Sequence, residues 1–266
     1  MPIKLLLLSL TIFGTAASAD ILQTSGERIN SAPIMLKFCY EDKQLLPYYV
    51  GNGAAVPEQA GATIEHLRRS TAQVGIELEL IRLPWLRCLQ QLEDNSIDAL
   101  VAAFDTTREH YTVYPKLPDG KPDTAKAINQ LGLCLAYRFD NPLVQKLQDS
   151  SAITLSRPLG YRPIPFPPQT TLVAAHSPEH ALDLVISGRV DATTVLCELN
   201  GIKAKEQHLD QLPVLLLYPA LYKSDGYLML SNDFYQRYPG LAEQLWQALQ
   251  QTLNKTDYLN YLSYPD

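Results

Sequence analysis

Basic residues are in short supply. Lysine and arginine number 22 against 28 aspartates and glutamates, a formal charge of −6. A phosphate-binding surface needs the opposite balance, so nucleic acid is excluded as an expected partner. Catalytic signatures are missing too. The chain has no GxSxG, no HExxH and no glycine-rich phosphate loop, hence no nucleophile elbow, zincin helix or nucleotide cradle to argue from. No CxxC pair or Cys/His cluster has the spacing of a zinc site. His176 and His180 stand close together at a helix start without a clear third ligand and read as surface residues. Beyond Ala19 no apolar run approaches the ~20 residues that a membrane span takes. Glycines, at 13, are outnumbered by 19 prolines, which suggests stiff loops rather than a disordered chain. No cofactor or metal is expected.

What is present bounds the rest. A length of 266 residues fits one or two domains, and an apolar fraction of 46% is enough for a sizeable core. Met1–Lys4 is weakly basic, Leu5–Ala16 is mostly apolar, and Ala17-Ser18-Ala19 has the small-x-small pattern of a cleavage site before Asp20. Residues 1–19 therefore read as a secretory signal rather than a membrane anchor, and Asp20–Ala32 as a polar leader. The mature chain is expected to be soluble and exported, to the periplasm. That compartment favours disulfides. Cys39, Cys88, Cys134 and Cys197 allow three pairings, with four separate buried thiols as the alternative.

The organising stretch is Leu80–Pro115. Its pattern is strand, helix with Leu86, Leu89 and Leu92 on one side, polar turn, buried strand Ile97–Phe104, then a polar loop holding Arg108. With a first strand over Pro33–Tyr40, a surface helix over Gly61–Val74 and a second strand over Ile76–Leu83, the order β-α-β-α-β implies a parallel sheet with helices on both faces. His66 reads as a solvated helix residue. Ligands of open α/β sheets bind at the carboxyl ends of strands, which puts Arg108 and Trp85 in a small-molecule cleft; the alternative for Arg108 is a surface pair with Glu109 or Asp105. Tyr48 and Tyr49 either offer the cleft a flat wall or pack on the base of their own loop. Ala127–Phe139 reads as a long strand passing between lobes, and Leu143–Gln148 as a short helix or turn. Ile153–Leu159 and Thr171–Ala175 read as strands. A helix from the Ser177 cap and Pro178 runs to Ile186, followed by a strand over Arg189–Leu196. Pro213–Tyr218 and Gly226–Leu230 read as strands around a turn at Tyr222–Asp225, and Asn232–Ser263 as largely helical, with Met229 and Trp246 in the core. Ile97-Asp98-Ala99 and Val190-Asp191-Ala192 rhyme: in both, a polar turn leads from a helix into a buried strand.

The chain resembles the periplasmic solute-binding proteins of ABC importers, polar amino-acid-binding type (bacterial extracellular solute-binding protein family 3). The residues that carry the likeness are Phe38-Cys39-Tyr40, Pro47-Tyr48, Pro84-Trp85, Ile97-Asp98-Ala99, Thr107-Arg108, Val113-Tyr114-Pro115, Leu159-Gly160-Tyr161, Gly188–Ala192, Phe234-Tyr235, Tyr238-Pro239 and Leu245-Trp246. The resemblance implies a type II periplasmic binding protein fold: two α/β lobes joined by two hinge strands, with a ligand cleft between them. Lobe one would be 33–130 plus 223–266, and lobe two 131–222. Arg108 matches the family arginine that grips a ligand carboxylate. The implied ligand set is Tyr40, Glu41, Tyr48, Trp85, Phe104 and Arg108 from lobe one, with Tyr161, Arg162 and Glu198 from lobe two. The resemblance also implies intralobe disulfides, Cys39–Cys88 and Cys134–Cys197. Two features depart from the family pattern. Ala102-Ala103-Phe104 replaces its small hydroxyl residues, and Leu196 stands where an acid for the ligand ammonium is expected, with Glu198 two residues on. The expected function is binding of a small polar solute, an amino acid or related carboxylate-bearing compound, for ABC-type import by a membrane permease. The protein is expected to be monomeric and not an enzyme. The alternatives are a ligand-sensing module for a membrane receptor and an enzyme descended from the same fold.

Overall fold

The computed structural model describes residues 33–161 and 164–263. The signal and leader expected over 1–32 lie outside them, as does Arg162. The elements in chain order are β1 (Ile34–Glu41), α1 (Ala62–Gln73), β2 (Ile76–Leu83), α2 (Trp85–Glu93), β3 (Ala99–Ala103), β4 (Thr112–Val113), β5 (Asn129–Arg138), α3 (Leu143–Gln148), β6 (Ile153–Pro158), β7 (Thr170–Ala175), α4 (Pro178–Ile186), β8 (Ala192–Leu199), β9 (Ile202–Lys203), β10 (Val214–Ser231), α5 (Asn232–Arg237), α6 (Pro239–Gln251) and α7 (Lys255–Tyr261). One continuous sheet runs β2-β1-β3-β10-β5-β8-β6-β7. β1 pairs parallel with β2 and β3, and β6 pairs parallel with β7 and β8. The two parallel halves are joined through β5 and β10, which are antiparallel to each other.

β10 is the main departure from the pattern-based reading. It is one strand of 18 residues, and the expected turn at Tyr222–Asp225 is paired in register with Gln130–Leu133 of β5. A bulge between Leu217 and Tyr222 absorbs the irregular Tyr218–Leu221. Polar residues occur mid-strand here because the sheet passes between two cores, where neither face is fully covered. β8 likewise starts at Ala192, not Arg189.

The Asp98 and Asp191 rhyme has one physical basis. Asp98 N–H donates to the Lys37 carbonyl at 2.9 Å, and its Oδ2 accepts the Lys37 N–H at 2.8 Å. Asp191 repeats this with Thr154, at 2.9 and 2.8 Å. Each aspartate side chain extends the pairing between parallel strands by one hydrogen bond where the chain enters from a helix.

The apolar side of α1 packs against α6 and α7, and buried clusters cover both faces of β2-β1-β3-β10. Trp246 and Met229 lie in that core, and the Trp246 indole donates to the Leu228 carbonyl at 2.9 Å. Smaller clusters, around Leu155, Val185 and Leu182, support the other half. Both disulfides form as the resemblance implied. Cys39–Cys88 ties β1 to α2. Cys134–Cys197 crosses β5 and β8, where the register shift between Gly132 and Leu133 leaves Cys197 as the extra residue of a bulge.

His66 corrects the expectation of a solvated residue, since it is fully buried. Its Nε2 lies 2.7 Å from the Leu249 carbonyl and its Nδ1 3.2 Å from the Tyr258 hydroxyl. The carbonyl can only accept, so Nε2 carries the proton and Nδ1 accepts from the tyrosine. Burial, only partly opposed by the bond to Leu249, lowers its pKa to about 4. Below about pH 6.5 the unfolded chain takes up a proton here that the folded one refuses down to about pH 4. The folded pKa is depressed, so this contribution is present above pH 6.5 and is lost as pH falls, by about 3 kcal/mol. Urea unfolding at pH 7.5 and 4.5 is expected to show a smaller acid loss in His66→Gln than in the parent; equal losses would show that His66 does not govern this window.

Candidate functional site

Four chain segments converge where the two halves of the sheet meet. Each parallel strand of the first half ends in a loop that carries a functional side chain. β1 ends at Glu41, and the loop after it turns back through hydrogen bonds between Leu45 and Tyr49. β2 ends at Leu83, and Pro84 then leads into α2 and presents Trp85. After β3, Asp105 accepts from Thr107 N–H at 3.0 Å and from its hydroxyl at 2.7 Å, holding a 3₁₀ turn over Thr106–Arg108. That turn folds Arg108 inward: only 8% of it is exposed, and its guanidinium lies 6.0 Å from the Trp85 ring centre. Glu109 pairs instead with Lys116.

The second half supplies Arg157 from the end of β6 and Tyr161 from the loop beyond it. Arg157 lies over the Phe166 ring at 5.4 Å. Tyr161 donates its hydroxyl to Glu41 Oε2 at 3.0 Å, a bond that crosses from one half of the sheet to the other. The halves also touch at Gly160, which has φ +80°; a Cβ there would meet Leu86 Cδ2 at 2.7 Å. Leu86, expected on the packed side of α2, is instead 57% exposed at this contact. Between these groups lies a cavity of about 200 Å³. Its floor is β3 (Val101–Ala103), β5 (Leu131, Leu133) and β10 (Tyr222, Ser224). A second cavity of about 210 Å³ adjoins it and shares Leu45, Leu131, Leu133, Arg157 and Tyr161.

The electrostatics are unusual for so small a space. Burial raises the Glu41 pKa to about 7; the Tyr161 hydrogen bond opposes this, while Asp42 and Glu179 add to it and Lys43 opposes it. Burial pushes the Tyr161 hydroxyl well above its ordinary range, and the neighbouring Glu41 carboxyl adds to that. The Arg157 pKa is lowered by burial, partly offset by Tyr161 and Tyr222. No histidine or cysteine is among the described residues that line the cavity.

Of the residues singled out from sequence, Glu41, Trp85, Arg108 and Tyr161 line this cavity together. Tyr48 lines the adjoining spaces instead, and its ring sits edge-on to Tyr258 at 6.2 Å. Tyr40 is 1% exposed and stacked among Phe38, Tyr49 and Arg82. Phe104 packs edge-on against Tyr114 at 5.1 Å, and Glu198 pairs with Lys223. Neither Phe104 nor Glu198 is among the described residues that line the cavity. Sequence reasoning passed over Tyr222 and Ser224, which it placed in a turn, and Arg157. Arg157 had a legible signal: it is a cation near the end of the strand read over Ile153–Leu159.

No protein-family model matches the chain, and no curated protein matches it by sequence. Among solved structures it is similar to the substrate-binding protein of an amino acid ABC transporter, with a TM-score of 0.60 and 12% identity, covering 85% of this chain and 96% of that one. It is similar to ArgBP of T. maritima, with a TM-score of 0.59 and 14% identity over 86% of this chain and 93% of that one. It is also similar to the VFT2 domain of Bordetella pertussis BvgS, with a TM-score of 0.58 and 14% identity over 86% and 91%. These likenesses establish the fold, the two-lobed type II periplasmic binding protein (Venus flytrap) architecture.

Proposed function

We propose that this chain is an exported solute-binding protein of the family 3 type, which carries a small carboxylate-bearing solute to an ABC-type importer. The observation that carries the reading is the Arg108 guanidinium, turned inward beside Trp85 at the wall of a cavity between two lobes. A planar fork binds a carboxylate through two parallel hydrogen bonds, and the indole face keeps it oriented. Lobe boundaries at 33–130 with 223–266, and at 131–222, leave β5 and β10 as the strands that bend when the lobes part. Both disulfides then fall within lobes and leave that hinge free. A cavity lined by arginines, one carboxyl and aromatic rings is a set for gripping a ligand, and export with cleavage after Ala19 places it where such carriers work. A monomer and a membrane permease complete the reading.

The experiment is a thermal-shift screen of amino acids, organic acids, polyamines, opines and small peptides. A true ligand at ~100 times its dissociation constant stabilises the folded state by ~2.7 kcal/mol. The absence of any shift across the panel would defeat the proposal. A second reading, a sensor domain, has support from the likeness to BvgS VFT2. It predicts the same binding, but a deletion strain that still takes up the ligand at the normal rate.

A further inference from the structure

Two cations face one cavity from opposite lobes. Arg108 comes from the loop after β3 and Arg157 from the end of β6, and both line the same space. Neither guanidinium has an ion pair among the described residues. Arg108 lies against Trp85. Arg157 lies on Phe166, and its Nε is buried without a hydrogen-bond partner. A desolvated guanidinium without a counter-charge is costly, and a ligand anion removes that cost. A ligand with a single carboxylate satisfies one arginine and leaves the other unmatched. A basic ligand brings a third positive charge into the space.

Building on the solute-binding reading, we infer that the ligand is a small dicarboxylate that spans the cleft, one carboxylate on Arg108 and the other on Arg157. Its middle lies on the apolar floor of Leu131, Leu133 and Val101, beside Trp85. The cavity, about 200 Å³, is below the ~300–1,000 Å³ of drug-sized sites, a size that suits a short chain. Each carboxylate belongs to a different lobe, so the two bonds coexist only when the lobes are together. The ligand thereby favours the closed form by differential affinity. Glu41, which lines the same cavity and is bonded to Tyr161, is the group that senses an amino substituent. An acidic amino acid places its ammonium there, and a plain diacid leaves Glu41 to Tyr161.

The test is calorimetric titration of the purified chain with succinate, glutarate, adipate and glutamate, against butyrate, glutamine and arginine. At least one diacid is expected to bind tenfold or more tighter than its single-carboxylate counterpart, glutarate over butyrate or glutamate over glutamine. Arg157→Gln is expected to erase that preference without weakening the single-carboxylate compound, and Arg157→Lys to retain part of it. Tighter binding of glutamate than glutarate, lost in Glu41→Gln, supports the inference with an acidic amino acid as ligand; the reverse order supports it with a plain diacid. Equal or tighter binding of butyrate, glutamine or arginine to the unsubstituted chain overturns it, whether or not the variants fold. If such a ligand still depends on Arg108, the solute-binding reading stands while the dicarboxylate inference falls. If no diacid binds, the inference falls and the broader thermal-shift screen judges the binding reading alone.

Discussion

Arg108→Gln is expected to weaken binding of the carboxylate ligand by about thirtyfold or more. Truncating one member of a buried, hydrogen-bonded charge pair costs about 2–5 kcal/mol, and each 1.4 kcal/mol is a factor of ten. The loss exceeds that of a surface pair because Arg108 is 8% exposed and meets its ligand out of water. The unliganded protein should change little. Its guanidinium has no ion pair to lose among the described residues, and the contact with Trp85 is worth about 1 kcal/mol. At this chain size that corresponds to a melting shift of about 2–4 °C. Titration and melting curves on the same preparation separate the two effects. Unchanged affinity removes Arg108 from the site; a collapse in melting assigns it to the fold.

Removing the Cys134–Cys197 bridge is expected to have the largest effect on stability. The bond closes a loop of 63 residues, for which the chain-entropy account gives about 4 kcal/mol. The half of the sheet it staples depends on small separate clusters around Leu155, Val185 and Leu182 rather than one large core. Both cysteines are fully buried, so the smaller side chains of a Cys134→Ala/Cys197→Ala double variant add a packing loss. Melting should fall by about 8–16 °C at 2–4 °C per kcal/mol. Neither cysteine is among the described residues that line the cavity, so the folded variant should keep its ligand affinity. A melting point within a degree or two of the parent would show that the bridge contributes nothing to the native fold.

Much of the local structure was legible from pattern alone. β2 and α3 have the expected bounds, Ile76–Leu83 and Leu143–Gln148. The α4 cap works as read: Ser177 accepts from His180 N–H at 3.2 Å, with Pro178 in the first turn. These features depend on alternation, periodicity and capping within a few residues, where local physics dominates. The pairing of the cysteines was different. Composition left three connectivities open, and the family likeness chose among them.

The chain by itself determined the alternation of strands and helices, a cation near the end of one strand and another in the loop after a second, the shared aspartate at two strand entries and the four cysteines of an export-type sequence. Tertiary structure decided what each of these meets. Asp225 and Tyr222 read as turn residues until β5 pairs with them over the whole crossing. His66 reads as a surface residue until Tyr258 and Leu249, nearly two hundred residues away, close over it. Phe104 and Glu198 resemble ligand contacts until Tyr114 and Lys223 occupy them. Arg157 resembles an ordinary strand-end cation until the crossing of β5 and β10 brings it to the cavity that holds Arg108. Whether a side chain is buried, paired or left facing a cavity depends on residues far along the chain, and only the folded packing brings those residues to it.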